Sequence, residues 1–164
     1  MSEVDGFARL SQNWLYWSGL GQLSDLSVST SCDDCTILFS SNDYSVHLRE
    51  NGGWWIVDTV DDRRQRSNDT AKFSTYELAE KYLVWTWASL ARSFVRAPIL
   101  GPKFYSQGFA SGVEAIQLGE AGLYELRSPE GQAVLREPSA TIFSHLILMS
   151  EEDIERMVRD GVGG

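Results

Sequence analysis

The sequence of 164 residues contains few of the side chains on which catalytic centres usually depend. It has two His and two Cys. Nucleophilic catalysis by Ser or Cys needs a neighbouring His and an orienting acid, and neither His47 nor His145 lies near a G-x-S-x-G motif. The glycines are not spaced as in a phosphate-binding loop. The sequence therefore predicts a protein that is not an enzyme and that needs no cofactor.

Long apolar runs and an excess of basic residues are missing as well. No segment approaches the roughly 20 apolar residues of a membrane span, and the first residues do not have the pattern of a secretory signal. The 14 basic residues are outnumbered by 23 acidic ones, which gives a net charge of -9. This charge repels nucleic acid and anionic membranes. We expect a cytoplasmic protein that binds neither and that would attract a basic protein partner.

The two cysteines form a C-x-x-C motif, Cys32 to Cys35. A structural zinc site needs four ligands, so that both His47 and His145 would have to complete this pair. A redox pair needs a stabilised thiolate, and the two Asp between the cysteines disfavour one. We therefore interpret the cysteines as two ordinary thiols beside a loop, and we predict no metal site and no disulfide framework.

The hydrophobic periodicity predicts a single α+β domain over residues 1–160, followed by a flexible tail at 161–164. The fold should be an antiparallel β-sheet, made of a meander plus a second hairpin set, packed against a long aromatic-rich helix with shorter N- and C-terminal helices. The predicted helices cover residues 5–20, 74–94 and 150–160. The predicted strands cover 26–28, 36–40, 44–49, 54–60, 71–73, 113–118, 123–127 and 132–136. Residues 139–149 fit either a helix or a buried strand.

Two details of these elements follow from known local motifs. Asn51-Gly52 is a strong hairpin signal because both residues tolerate positive φ. Ser74 and Glu77 form a capping box, which predicts that Ser74 is the N-cap of the long helix. One apolar stripe of that helix should pack against the sheet and a second helix; it consists of Tyr76, Ala79, Leu83, Trp87, Leu90 and Phe94. A second stripe beside it consists of Leu78, Tyr82 and Trp85.

Two irregular segments are candidates for a protein interface. Residues 61–69 mix charges of both signs, with Asp61, Asp62, Arg63, Arg64 and Arg66. Residues 100–109 carry aromatic side chains and a Lys, including Lys103, Phe104 and Tyr105. The first segment could equally be a solvated connection, and the aromatic side chains of the second could be buried and hold the loop in place. If exposed, they would form a cluster of the kind that dominates binding energy in interfaces.

Several stretches of the sequence resemble a known family. They are Tyr44–Arg49, Gly53–Val57, Phe73-Ser74 with the helix Glu77–Phe94, Ser144–Leu146, and Ser150–Ile154. Together they resemble the mycobacterial and actinobacterial immunity proteins that neutralise NAD-hydrolysing toxins of the tuberculosis necrotizing toxin type. The resemblance covers roughly residues 36–160 and rests on packing and turn patterns.

The resemblance implies a cytoplasmic antitoxin without enzymatic activity. Its partner would be a cognate secreted toxin domain of the NAD glycohydrolase type. The antitoxin would bind this toxin one to one and occlude its NAD-binding site. The negative charge agrees with this role, since a pocket for nucleotide phosphates tends to be basic. Two alternatives remain open at this point: an acidic secretion or folding chaperone, and a hydrolase built on Asp and Glu.

Overall fold

The computed structural model describes residues 3–162, which form one antiparallel sheet with helices packed on it, in agreement with the predicted α+β class. The helices are α1 (Glu3–Leu20), α2 (Tyr76–Phe94), α3 (Gly101–Ser106), α4 (Ser139–Leu146) and α5 (Glu151–Arg159). The strands are β1 (Ser27–Ser29), β2 (Ile37–Ser40), β3 (Ser45–Asn51), β4 (Trp54–Val60), β5 (Arg66–Phe73), β6 (Glu114–Gln117), β7 (Leu123–Ser128) and β8 (Gly131–Arg136). No helix within residues 3–162 has the length and apolarity of a membrane span.

The sheet joins the two predicted sets of strands into one. Its order is β1-β2-β3-β4-β5-β8-β7-β6, and all neighbours are antiparallel. The sets meet where β5 pairs with β8, through Ala71 with Leu135, Lys72 with Val134 and Phe73 with Ala133. Helix α2 packs on β4 and β5, and α4 packs on β7 and β8, while α1 and α5 both contact α2.

Alternation along the strands separates a buried face of the sheet from an outer face. On β3, Val46 and Leu48 are fully buried, whereas the alternating residues His47 and Arg49 belong to the outer face. Leu48 lies opposite Val57 on β4 and Ile37 on β2, and all three are part of the core. The half-buried strand predicted from this period-2 pattern is confirmed.

Aromatic side chains fill much of the space between sheet and helices. The α1 residue Trp14 is fully buried, and its ring centroid lies 5.1 Å from that of Trp87 on α2 and 6.1 Å from that of Phe39 on β2. Phe73 on β5 lies 5.2 Å from Phe143 on α4. Such tilted and edge-to-face contacts add to the stabilisation from apolar burial. Most of the aromatic content of the chain is therefore structural.

The structure shifts two of the predicted local motifs by one residue. The hairpin turn consists of Gly52 and Gly53, at φ +59° and +83°, and Asn51 is the last residue of β3, paired with Trp54. The N-cap of α2 is Thr75, whose hydroxyl accepts a hydrogen bond from the amide of Leu78 at 3.2 Å. The prediction that Ser74 is the N-cap was wrong, because the Ser74 hydroxyl accepts a hydrogen bond from the amide of Gln132 instead, at 2.8 Å.

Three predicted segment boundaries also change. Strand β5 begins at Arg66, so the charged irregular segment covers only 61–65 rather than 61–69. The connection predicted to be irregular contains α3, and residues 139–149 begin with the helix α4. The N-terminal half of β5 was missed because Ser, Asn and Asp are rare in strands; the register between β4 and β5 shifts there, as in a β-bulge.

The cysteines are not the two free thiols that the sequence suggested, because Cys32 and Cys35 are joined by a disulfide. The turn between them places their Cα atoms 5.3 Å apart, which is within the range that a disulfide requires. Their segment also reaches β3, where His47 Nδ1 lies 3.7 Å from Cys32 Sγ.

The C-terminal helix α5 lies within the predicted range 150–160. The Ser150 hydroxyl caps α5 by accepting from the amide of Asp153 at 3.1 Å, and Gly161 after the helix has φ +78°. Val162 is 8% exposed and belongs to the core. Gly163 and Gly164 lie outside the described residues, so the flexible tail remains a prediction.

The contact between Gly131 and Ser74 gives a test of how the two strand sets are joined. Gly131 has φ +137°, and a Cβ atom there would lie 2.7 Å from Ser74 Oγ and 3.0 Å from Leu78 Cδ1. We expect Gly131→Ala to lower the free energy of unfolding by about 2 kcal/mol, measured by urea denaturation. The control is Gly122→Ala, because Gly122 also has positive φ, at +80°, but no atom within 4 Å of the added Cβ. Equal losses in both variants would contradict a role for the contact.

Candidate interaction surface

The charged segment 61–65 forms an ordered, exposed turn between β4 and β5. The carboxylate of Asp61 accepts hydrogen bonds from the amides of Arg63 and Gln65, both at 2.9 Å. Arg64 has φ +63°, and its amide donates to the carbonyl of Asp61 at 3.0 Å. The side chains of residues 61–65, Asp62 included, lie at the surface. The turn has the defined backbone of an Asx-type motif.

Arg66 differs from its neighbours because it lies on β5 and forms ion pairs on the outer face of the sheet. Its guanidinium contacts Asp58 at 3.1 Å and Asp34 at 2.6 Å. Asp58 is 1% exposed and also accepts from Arg49 Nε at 2.7 Å and from the amide of Asp69 at 2.8 Å. Burial alone would raise the pKa of the Asp58 carboxyl, but these donors hold it below its usual range.

The second predicted segment lies on the other side of the sheet, beside α4. Lys103 and Tyr105 on α3 are exposed, whereas Phe104 is half-buried. The Phe104 ring lies 5.9 Å from Trp85 and 5.2 Å from His145 between centroids. Phe104 therefore holds α3 in place, and the exposed groups beside it are Lys103 and Tyr105. Residues 61–66 and α3 belong to different layers of the fold.

The C-terminal end of α2 carries an exposed apolar cluster that the sequence had not indicated. We call Leu90, Phe94, Val95 and Ile99 the apolar ridge; they are 57%, 53%, 39% and 70% exposed. The prediction that the whole stripe from Tyr76 to Phe94 is core was wrong for its last two members. Periodicity shows which side of a helix is apolar, but it does not show where the elements that cover this side end.

The apolar ridge is continuous with α3. Leu90 borders a hollow lined by Trp85, Ser89 and Ile142. Ile99 borders a second hollow that shares these three residues and reaches Gly101, the first residue of α3. Exposed apolar side chains grouped together can mark a binding site.

Buried Arg92 fixes the chain segment that carries Val95 and Ile99. Arg92 is 3% exposed and donates four hydrogen bonds to three backbone carbonyls. Its Nη1 bonds the carbonyls of Val158 and Asp160 at 2.7 and 2.6 Å, at the end of α5. Its Nε and Nη2 both bond the carbonyl of Pro98, at 3.2 and 2.8 Å. A cation suits the C-terminal end of a helix, and these bonds tie the 95–99 connection to α5.

A buried carboxylate lies at the opposite end of the helical layer. Glu80 on α2 is 5% exposed and faces Glu151 and Glu155 of α5 and Arg9 of α1. Burial and the neighbouring Glu151 carboxylate raise the pKa of Glu80 to about 9. Paired carboxylates occur in some hydrolases, but the hollow beside this pair offers room for about one water molecule. We assign the pair to packing.

His145 also has structural partners. Its Nε2 lies 2.7 Å from the carbonyl oxygen of Gly108, and its ring packs against Phe104. His145 is therefore a packed histidine with a hydrogen-bonded ring nitrogen.

Replacing Arg92 tests whether it fixes the apolar ridge. Arg92→Met keeps the apolar stem but leaves the carbonyls of Pro98, Val158 and Asp160 without their donor. Because buried acceptors without partners are costly, we expect the free energy of unfolding to fall by about 3 kcal/mol in urea denaturation. The control is Arg156→Met, whose side chain is 77% exposed. An Arg92→Met variant as stable as this control would contradict the role of Arg92.

The buried acid on α2 predicts an unusual dependence of stability on pH. In the unfolded chain Glu80 has an ordinary pKa near 4.5. Folded Glu80 therefore keeps its proton at pH values where the unfolded chain has lost it. Stability of the wild type should therefore fall as pH rises from 4.5 towards 9. Glu80→Gln mimics the protonated acid, and we expect it to raise the free energy of unfolding at pH 8 by about 2 kcal/mol.

Denaturation series at pH 5 and pH 8 check this prediction. The gain in free energy of unfolding from Glu80→Gln should be smaller at pH 5 than at pH 8. The control Glu130→Gln, at an exposed position, should not raise the free energy of unfolding at either pH. A constant difference between Glu80→Gln and the wild type would show that Glu80 ionises normally.

Comparisons with known proteins agree with the fold and the resemblance. Residues 20–164 match the model of the family described as Immunity protein 61. None of the curated proteins matches the chain. Among solved structures, Rv3902c from M. tuberculosis has a similar fold: the TM-score is 0.72 at 15% identity, over 94% of this chain and 88% of that one. Because the family model covers most of the sequence, the chain belongs to the Immunity protein 61 family.

Proposed function

We propose that the protein is a cytoplasmic antitoxin that binds a cognate secreted toxin one to one and occludes its NAD-binding site. The observation that carries the proposal is the match to an immunity protein family over residues 20–164. The NAD-hydrolysing type of the toxin rests on the resemblance of strands β3 and β4 and helices α2 and α5 to the antitoxins of such toxins. In this proposal the toxin performs the chemistry and the antitoxin performs none.

The apolar ridge and α3 are the surface that we propose for the toxin. Exposed Leu90, Phe94 and Ile99 can be buried by a partner, with a gain of roughly 25 cal/mol per Å² of apolar area. Tyr105, 49% exposed, and Lys103 provide polar contacts beside them. Arg92 holds part of this surface rigid before binding, which lowers the entropic cost of association.

Charge supports the proposal through the rate of association. A pocket that binds nucleotide phosphates tends to be basic, and a protein of net charge -9 is attracted to it. The turn at 61–65 with Arg66 remains a second proposed contact. Asp61 and Asp62 of this turn are exposed and could pair with basic groups of the toxin. Because this turn and α3 lie in different layers, we propose that the ridge with α3 is the main contact.

Inhibition of NAD hydrolysis tests the proposed function. The toxin domain is taken from the neighbouring gene and is titrated with this protein while NAD consumption is followed. We expect activity to fall linearly and to end near one equivalent, because binding is one to one. A folding chaperone would bind unfolded clients and leave the folded toxin active. Full NAD hydrolysis in excess antitoxin, together with a stable complex in gel filtration, would contradict occlusion of the NAD site.

Alanine variants test the proposed surface. We expect Leu90→Ala, Phe94→Ala and Tyr105→Ala each to weaken toxin binding by over about 1 kcal/mol in calorimetry, because buried anchors dominate interfaces. Lys103→Ala should have a similar effect if Lys103 pairs with the toxin.

The matched controls for these variants come from other parts of the surface. Leu148→Ala removes an equally large side chain that is 44% exposed outside the ridge, and it should not change affinity. Asp61→Ala and Asp62→Ala test separately whether the turn at 61–65 contributes to toxin affinity. Loss of affinity only in these two variants would move the interface to the turn.

A further inference from the structure

The residues around the C-x-x-C motif form a cluster of metal-ligating atoms away from the apolar ridge and α3. One ligand atom each from Cys32, Asp34, Cys35 and His47 lies within 4.8 Å of the other three. The three cysteine-loop residues come from the turn before β2, and His47 comes from the outer face of β3. From the sequence alone we interpreted the cysteines as two ordinary thiols beside a loop and predicted no metal site. The fold instead places the cysteines beside His47.

Three of the distances among these atoms lie within or just below the range of a tetrahedral zinc site. Zn–S bonds of about 2.3 Å and Zn–N or Zn–O bonds of about 2.0–2.2 Å place tetrahedral ligand atoms about 3.3–3.8 Å apart. Cys32 Sγ lies 3.7 Å from His47 Nδ1 and 3.2 Å from Asp34 Oδ1. His47 Nδ1 lies 3.2 Å from the same carboxylate oxygen. These three atoms thus form one face of the tetrahedron. Cys35 Sγ lies beside this face because it is bonded to Cys32 Sγ in the disulfide.

We propose that the reduced protein binds one Zn²⁺ through Cys32 Sγ, Cys35 Sγ, His47 Nδ1 and Asp34 Oδ1. A thiol reductant first cleaves the disulfide: two RSH supply two electrons and two protons, which yields two cysteine thiols and RSSR. Zn²⁺ then replaces both thiol protons and releases them to solvent. Disulfide and metal therefore exclude each other, because the sulfur lone pairs that bind zinc belong to thiolates.

Neighbouring groups favour the proposed site. Arg66 Nη1 holds the other oxygen of the Asp34 carboxylate at 2.6 Å, so that Oδ1 is directed to the cysteine and the histidine. Such outer contacts orient metal ligands and raise affinity. Two thiolates and one carboxylate give the zinc complex a formal charge of -1, which the Arg66 guanidinium balances. His47 and Asp34 are partly accessible, so that a metal ion can enter from solvent.

Cobalt substitution tests the site, since Co²⁺ in a tetrahedral site with thiolates has intense visible absorption. The intact protein is reduced with a phosphine, freed of the reductant under nitrogen, and titrated with Co²⁺ and then Zn²⁺. We expect one equivalent of Co²⁺ to give the tetrahedral spectrum, Zn²⁺ to remove it, and the oxidised protein to give none. A spectrum of octahedral Co²⁺, or no binding, would overturn the proposal.

Variants separate a four-ligand site from simple capture by two thiols. Cys35→Ser should abolish the tetrahedral spectrum, and His47→Ala and Asp34→Asn should each weaken Zn²⁺ binding by at least about tenfold. The controls are Asp33→Asn, in the same loop, and His145→Ala, beside Phe104; both should bind as the wild type does. Circular dichroism checks that each variant is folded. Unchanged affinity in His47→Ala and Asp34→Asn would reject the site as assigned.

Discussion

The pairing of β5 with β8 is the contact on which the rest of the structure depends. Only three residue pairs join these strands, together with the bonds between Ser74 and Gln132. They convert a meander and a separate hairpin set into one sheet of eight strands. Helix α2 starts at this junction and packs on β5, while α4 packs on β8. The junction thereby sets the relation between α2, which carries the apolar ridge, and α4, against which α3 packs.

Preorganisation is the property that links this fold to the proposed function. An inhibitor gains affinity when its contact groups are ordered before binding. Arg92 orders the 95–99 connection through carbonyls of two segments, and Phe104 orders α3 through Trp85 and His145. On the outer face, the buried carboxylate of Asp58 forms ion pairs with Arg49 and Arg66. In the described residues, these buried polar groups therefore fix surface segments rather than form a catalytic centre.

The sequence was sufficient for the fold class and for most strands and helices, because their patterns are local. The strand β3 and the helix α5 are examples. Prediction from the sequence failed where long-range contacts determine the structure. Ser74 follows a capping pattern, yet its hydroxyl accepts a hydrogen bond from β8. The N-terminal half of β5 is polar, yet it pairs with β4. No local signal shows that two distant strands will meet.

The candidate sites show the same limit. The exposed Lys103 and Tyr105 lie within a segment that the sequence had indicated, and the toxin-binding role of both residues remains a proposal. Two residues of the apolar ridge, Leu90 and Phe94, were predicted to be core because they continue the periodicity of residues that are buried. The approach of His47 to Cys32 depends on the fold of the loop before β2. A single sequence carries no signal for that distance.

Hydroxyl-radical footprinting of the toxin complex tests the central claim most directly, because side chains that a partner covers lose reactivity. The account predicts that Leu90, Phe94, Ile99 and Tyr105 are protected in the complex and reactive in the free protein. It also predicts that Ile116 and Val134, on the outer face of the sheet, react equally in both. Protection of the outer face with an unprotected apolar ridge would contradict the account.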